Sequence, residues 1–139
     1  METVHLRVLD LKHKKNPLED PPWARICPNW GTKEITIKEI TDSFNNPRLE
    51  ELGSGTSETW TDRSKPDNEY CNRDRHILRI AWLVTKKDEM PIRMSDMSQL
   101  TIFDGWHRLC AAIVRGDETI SAVTYLPEYL EQPIPGDPS

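Results

Sequence analysis

Residues 103–112 read Phe-Asp-Gly-Trp-His-Arg-Leu-Cys-Ala-Ala, and their reading decides the fold. They follow the apolar run Leu100–Phe103 and open a helical stretch, Trp106–Arg115, that Gly116 stops. Strand, glycine turn and helix together make an α/β unit. Gly105 lets the backbone turn sharply and leaves no side chain in a ligand's way. The first N–H groups of the helix lack carbonyl partners, and the helix dipole adds partial positive charge. A phosphate suits such a helix start. Arg108 offers two parallel donors to phosphate oxygens, and His107 offers a donor or a proton carrier near neutral pH. A plainer reading stands beside this one: Asp104 caps the helix, Gly105 serves the turn, and His107 is an exposed helix residue.

Working outward, Met90–Met94 is a short strand entered through Pro91, Ser95–Gln99 a polar turn, and Ile120–Leu126 a final strand. Upstream, Ile77, Ile80, Ala81 and Val84 fall at helical spacing, with Leu78 and Trp82 widening the apolar face. The spacing predicts a helix from about Arg75 to Lys87. Val4–Leu11 alternates apolar and polar residues, with a slip at Leu9, and predicts a strand. Lys12–Gly31 reads as a loop pinned by Trp23 and Trp30, since Pro21 and Pro22 bar a helix. Lys33–Ile40 predicts a second strand or a strand entering a helix. Residues 41–75 show no sustained period and read as a long loop: either Asn46–Leu52 holds a short helix, or the segment is a lid or a partner-binding arm. The proline-rich residues 131–139 form a flexible tail. The expected architecture is one α/β (α+β) domain over residues 1–130. It is a small mixed sheet with helices packed on it, and a long insertion precedes the first core helix.

The formal net charge of −5 argues against a protein that coats nucleic acid nonspecifically, because such binding neutralises phosphates with Lys and Arg. Cys27, Cys71 and Cys110 form no Cys-x-x-Cys pair, so a zinc ribbon is not expected. The odd count and wide spacing argue against a disulfide framework and for reduced cytosolic thiols. No apolar run approaches the roughly 20 residues of a membrane span, and Met1–Leu11 does not read as a signal peptide. A soluble cytoplasmic protein follows as the expectation.

Residues Ile77–Leu126, about fifty in all, resemble the ParB N-terminal domain and sulfiredoxin superfamily. The helix, the MPIRM strand, the LTIFDG strand, the WHRLCAAIVRG helix and the ETISAVTYL strand occur in the family's order. Gly105, His107, Arg108, Ala111 and Ala112 match its Gly-x-His-Arg-x-x-Ala-Ala pattern. The resemblance implies binding of ATP, ADP or CTP with the phosphates on this helix start. Family members hydrolyse the nucleotide, phosphorylate a small molecule or a protein sulfinic acid, or are described as nucleases. The implied phosphate ligands are Gly105, the Trp106 backbone, His107 and Arg108. Asp104 lies beside the phosphates in relatives reading Asp-Gly-His-His-Arg, which implies catalytic roles for Asp104 and His107 and a place for Mg2+ at Asp104. Two departures count. Trp106 stands where sulfiredoxin has its working cysteine, which disfavours peroxiredoxin repair. The Gly-Glu-Arg-Arg of partition proteins is missing, which disfavours plasmid partition.

The leading expectation is therefore a nucleotide-binding protein that transfers or hydrolyses a terminal phosphoryl group. A noncatalytic interaction or inhibitor module that keeps the fold, and a metal-dependent nuclease, are the alternatives. Trp106 either stacks on a base or plugs the cleft. Cys110 either shares the face of the motif or is a small buried helix residue. Arg73, Arg75 and Arg79, beside His76, form either a secondary phosphate-binding patch for a nucleotide or nucleic acid, or a solvated face. A protein partner is also compatible with the tryptophan-rich loops.

Overall fold

The computed structural model describes residues 2–25, 27, 30, 34–54, 73–87 and 90–124. Strand β1 (Val4–Arg7) runs directly into helix α1 (Val8–Lys14). A single 3-10 turn follows at Pro22–Arg25, then α2 (Ile37–Asp42), a second 3-10 turn at Ser43–Asn45, and α3 (Leu49–Gly53). Helix α4 (Arg73–Thr85) leads to β2 (Ile92–Asp96), β3 (Thr101–Asp104), α5 (Trp106–Arg115) and β4 (Thr119–Thr124).

The four strands form one mixed sheet in the order β1-β4-β2-β3. β1 and β4 are antiparallel, with Val4 opposite Ala122. β4 and β2 are parallel, with Ile92 opposite Ala122, and β2 and β3 are antiparallel, with Met94 opposite Ile102. The α+β class and the small mixed sheet expected from the sequence are what the chain forms.

Helix α5 lies between two apolar clusters and is buried on both flanks. Leu109 and Ala112 pack with Ile92, Met94, Ile102 and Ala122 of the sheet and with Val8 and Leu11 of α1. Cys110 and Ala111 pack with Ile77, Ile80, Ala81 and Leu83 of α4, with Ile40 of α2, and with Trp23 and Trp30. The small side chains of Cys110, Ala111 and Ala112 are fully buried, which lets neighbouring elements approach the helix closely.

Several sequence expectations need correction. The strand predicted over Val4–Leu11 ends at Arg7; Val8 and Leu11 are the buried pair of α1, at i and i+3, while Leu9 is 65% exposed. The slip in the alternation was the change of period itself. Lys33–Ile40 forms no strand among its described residues. Thr36 and Glu39 instead make a capping box, Glu39 N–H donating to Thr36 Oγ1 at 3.2 Å and Thr36 N–H to Glu39 Oε1 at 3.1 Å, and this starts α2. In residues 41–75, α2, the Ser43–Asn45 turn and α3 occupy the first third and pack on α4, so this part is neither loop nor lid. The rest of that segment up to Asn72, and the tail 131–139, lie outside the described residues. Cys27 is disulfide-bonded, to a partner outside the described residues, against the expectation of reduced thiols; Cys110 is free. Among the described residues, no helix is long and apolar enough to cross a membrane.

Candidate phosphate site and a buried histidine pair

Gly105 joins β3 to α5 with φ +114°, in the left-handed region. A Cβ here would lie 2.6 Å from Ile92 Cγ2 and 2.8 Å from Ile92 Cβ. Close approach to β2 therefore demands glycine as strongly as the turn does. Asp104 is exposed and does not cap the helix; the α5 start has no side-chain cap. Its N-terminal amides thus keep the unsatisfied character that favours an anion. At the other end, Gly116 closes the helix with φ +78°, as its place in the sequence predicts.

The three residues after Gly105 leave α5 in different directions. The Trp106 side chain packs against both apolar clusters, and Lys15 Nζ sits 5.2 Å from its ring centroid. His107 turns toward α4. Its Nε2 lies 2.8 Å from His76 Nδ1, and its ring stacks on Trp23 with centroids 4.2 Å apart. His76 stacks on the same indole at 4.5 Å, and its Nε2 lies 3.3 Å from Cys27 Sγ. Arg108 points to a third side, where its Nη2 lies 3.5 Å from Met90 Sδ. His107 and Arg108 accordingly do not meet at one point, as a shared phosphate grip would require. An i, i+1 pair on a helix faces in different directions, and the packing around His107 fixes that divergence.

The histidine pair is neutral, with His76 buried and His107 half-buried. Burial and the neighbouring Arg75 push the His76 pKa down to about 3. Burial, His76, Arg79 and Arg108 hold the His107 pKa well below its usual value. A neutral imidazole has one donor and one acceptor. A disulfide sulfur has no proton to give, so His76 Nε2–H donates to Cys27 Sγ and His76 Nδ1 accepts from His107 Nε2–H. Sequence reasoning treated His107 as a ligand group and His76 as part of a basic cluster. The available signal was the helical spacing of His76, Ile80 and Leu83, and of His107, Cys110 and Val114. That spacing puts each imidazole on a buried face.

Arg108 lines a cleft of about 180 Å³ together with His5, Lys87, Arg115, Asp117 and Ser121. Cations outnumber carboxylates there. Arg115 is anchored: Nη1 donates to Leu83 O at 2.8 Å, while Nε and Nη2 donate to Asp117 Oδ2 at 3.0 and 2.7 Å. Lys87 Nζ stands 3.9 Å from the same oxygen. Cys110 faces the α4 side and is fully buried, which pushes its thiol pKa far up; it is a packing residue and not part of the cleft.

The proposed basic patch does not exist as an open surface. Arg73 grips Glu39 with Nη1–Oε2 at 2.5 Å and Nη2–Oε1 at 2.7 Å, and donates to Glu34 O. Arg75 is buried. Arg79 donates to Gly53 O at 2.9 Å and lies over the Trp82 ring. The three guanidiniums face inward, and Arg73 and Arg79 tie α2 and α3 to α4. Among the described residues no three His, Cys, Asp or Glu side chains come together to hold a metal.

Compared with known proteins, the chain matches no family model, no curated protein and no solved structure.

Proposed function

We propose that this protein binds a nucleotide or a closely related phosphate ester at the start of α5, with Arg108 as the main phosphate ligand. One observation carries the reading: Arg108 leaves the first turn of an uncapped helix into a cleft that Lys87 and Arg115 also line. A guanidinium and an ammonium in one cleft favour a multiply charged anion. The sequence likeness to the ParB and sulfiredoxin superfamily supports the same position through Gly105 and Arg108. His107 drops out of the ligand set, because its ring is held inside the fold. Phosphoryl transfer or hydrolysis beside the helix start would fall to Asp104, the exposed carboxylate at the end of β3.

The test is calorimetric titration of the folded protein with ATP, ADP and CTP, with and without magnesium, beside Arg108→Ala and Lys87→Ala. Binding that weakens about tenfold or more in Arg108→Ala supports the proposal. Absence of heat and of any thermal shift with all three nucleotides would remove it. The noncatalytic alternative draws support from the engagement of His107 with His76 and Trp23, which turns the imidazole away from Arg108. It expects nucleotide binding without turnover, or a protein partner whose capture survives Arg108→Ala.

A further inference from the structure

The far end of the Arg108 cleft is built differently from its mouth. Asp117 sits just past the end of α5, and its backbone N–H donates to Ala112 O at 3.0 Å, which fixes the residue. Both hydrogen bonds from Arg115, and the ion pair with Lys87, go to one oxygen, Oδ2. Oδ1 makes no hydrogen bond among the described residues. The side chain remains 20% exposed and lines the cleft, with Thr119 and Ser121 beside it. A carboxylate oriented through one oxygen leaves the other as a fixed acceptor. It can accept hydrogen bonds from hydroxyl groups.

Arg108 and Arg115 are seven residues apart, about 10 Å along the helix axis. One ligand of moderate length therefore meets a cation at one end and an oriented acceptor at the other. A phosphorylated polyol places its phosphate at Arg108 and its neutral hydroxyls at Asp117, Thr119 and Ser121.

We infer that the cleft recognises a ribose phosphate: Arg108 holds the phosphate, and Asp117 Oδ1 accepts from the sugar's vicinal hydroxyls and so selects ribose over deoxyribose. The inference rests on the phosphate-binding proposal above and adds the identity of the group at the opposite end.

Calorimetric titration with ribose 5-phosphate, 2-deoxyribose 5-phosphate and ATP tests both levels separately. The expected result is that ribose 5-phosphate binds about tenfold or more tightly than the deoxy sugar, because a hydrogen bond to a charged acceptor is lost. Asp117→Asn should bring the two sugars to equal affinity, and Arg108→Ala should weaken both. Equal affinity of the two sugars for the unaltered protein, with both still dependent on Arg108, overturns the assignment of Asp117 and leaves the phosphate seat standing. If neither sugar phosphate nor ATP binds, the seat and the inference fall together. The comparison of sugars on the unaltered protein holds even if Asp117→Asn, which loses the Arg115 clamp, fails to fold.

Discussion

His76 Nδ1 and His107 Nε2 lie 2.8 Å apart, edge to edge beneath Trp23, with their ring planes within 10° of each other. The pair joins α4 to α5, and the Trp23 roof adds the chain segment that carries Cys27. Three elements distant in sequence thus meet on two small polar rings. His107→Phe should preserve the stacking on Trp23 while leaving His76 Nδ1 without its donor. The expected cost is about 1–3 kcal/mol, the penalty of a buried acceptor left unpaired. Urea unfolding of this variant, of His76→Phe and of the double variant measures it. The double variant should lose less than the sum of the two, because one shared bond is counted twice.

The same pair sets an acid limit. With the His76 pKa near 3 in the fold and near its ordinary 6.5 when unfolded, the unfolded chain binds more protons between those values. His107 shifts in the same direction. Stability from this source is fully present above about pH 6.5. For His76 it is lost as pH falls toward 3, and His107 adds a loss of the same sign. Among the described residues, the charges that act on the rings are Arg75, Arg79 and Arg108, all positive. Urea midpoints at pH 7.5, 6, 5 and 4 should fall steadily, and His76→Phe/His107→Phe should flatten the curve over that range.

A second acid-sensitive contact works at lower pH. Hydrogen bonding from Arg73 draws the Glu39 pKa down to about 2. Its contribution is present above about 4.5 and lost as pH falls from there toward 2. Glu39 is about a third exposed, so solvent screens the pair, and Glu39→Gln should cost only about 1 kcal/mol. The effect should be local. Amide exchange should speed up over Ile37–Asp42, which Glu39 both caps and ties to α4, with little change in α5.

The boundary of α5 was legible because glycine at both ends and a three-to-four-residue period between them leave few alternatives. The strand-to-helix switch at Val8 was not. Four residues of alternation followed by seven of helix give no window long enough to separate the two periods. The Thr36–Glu39 box was readable from spacing alone and outweighed the Ile35–Ile37 alternation. The destination of His107 could not be read from the motif. Glycine, histidine and arginine in a helix start suit an anion equally well whether the imidazole points out or in. What turned it inward was Trp23 and His76, eighty-four and thirty-one residues away in the chain. The inward course of Arg73 and Arg79 likewise depends on α2 and α3 folding back onto α4.

Cys110 should be chemically silent in the native protein. It is fully buried between α5 and α4, and burial raises its thiol pKa far above neutrality, so little thiolate forms. Iodoacetamide at pH 8 should leave it unmodified for as long as the fold persists and label it fully in denaturant, as peptide mass spectrometry would show. Rapid native labelling would mean that α5 separates from α4 readily.

Gly105 and Gly116 have positive φ for different reasons, and alanine should separate them. At Gly116 the φ is +78° and nothing among the described residues lies within 4 Å of an added Cβ. Gly116→Ala meets only the backbone preference and should cost about 1 kcal/mol. At Gly105 the φ is +114°, and the added Cβ would press into Ile92. Ile92 is fully buried in the centre of the sheet, opposite Ala122, and has no room to yield. Backbone strain and overpacking then add, for a cost of about 3–5 kcal/mol. Relief should come from shortening the obstructing side chain. Gly105→Ala combined with Ile92→Ala should be less destabilised than the sum of the two single changes, measured by thermal unfolding. Strict additivity would show that the Cβ clash is not the cause and would leave the left-handed turn as the sole reason for glycine at this position.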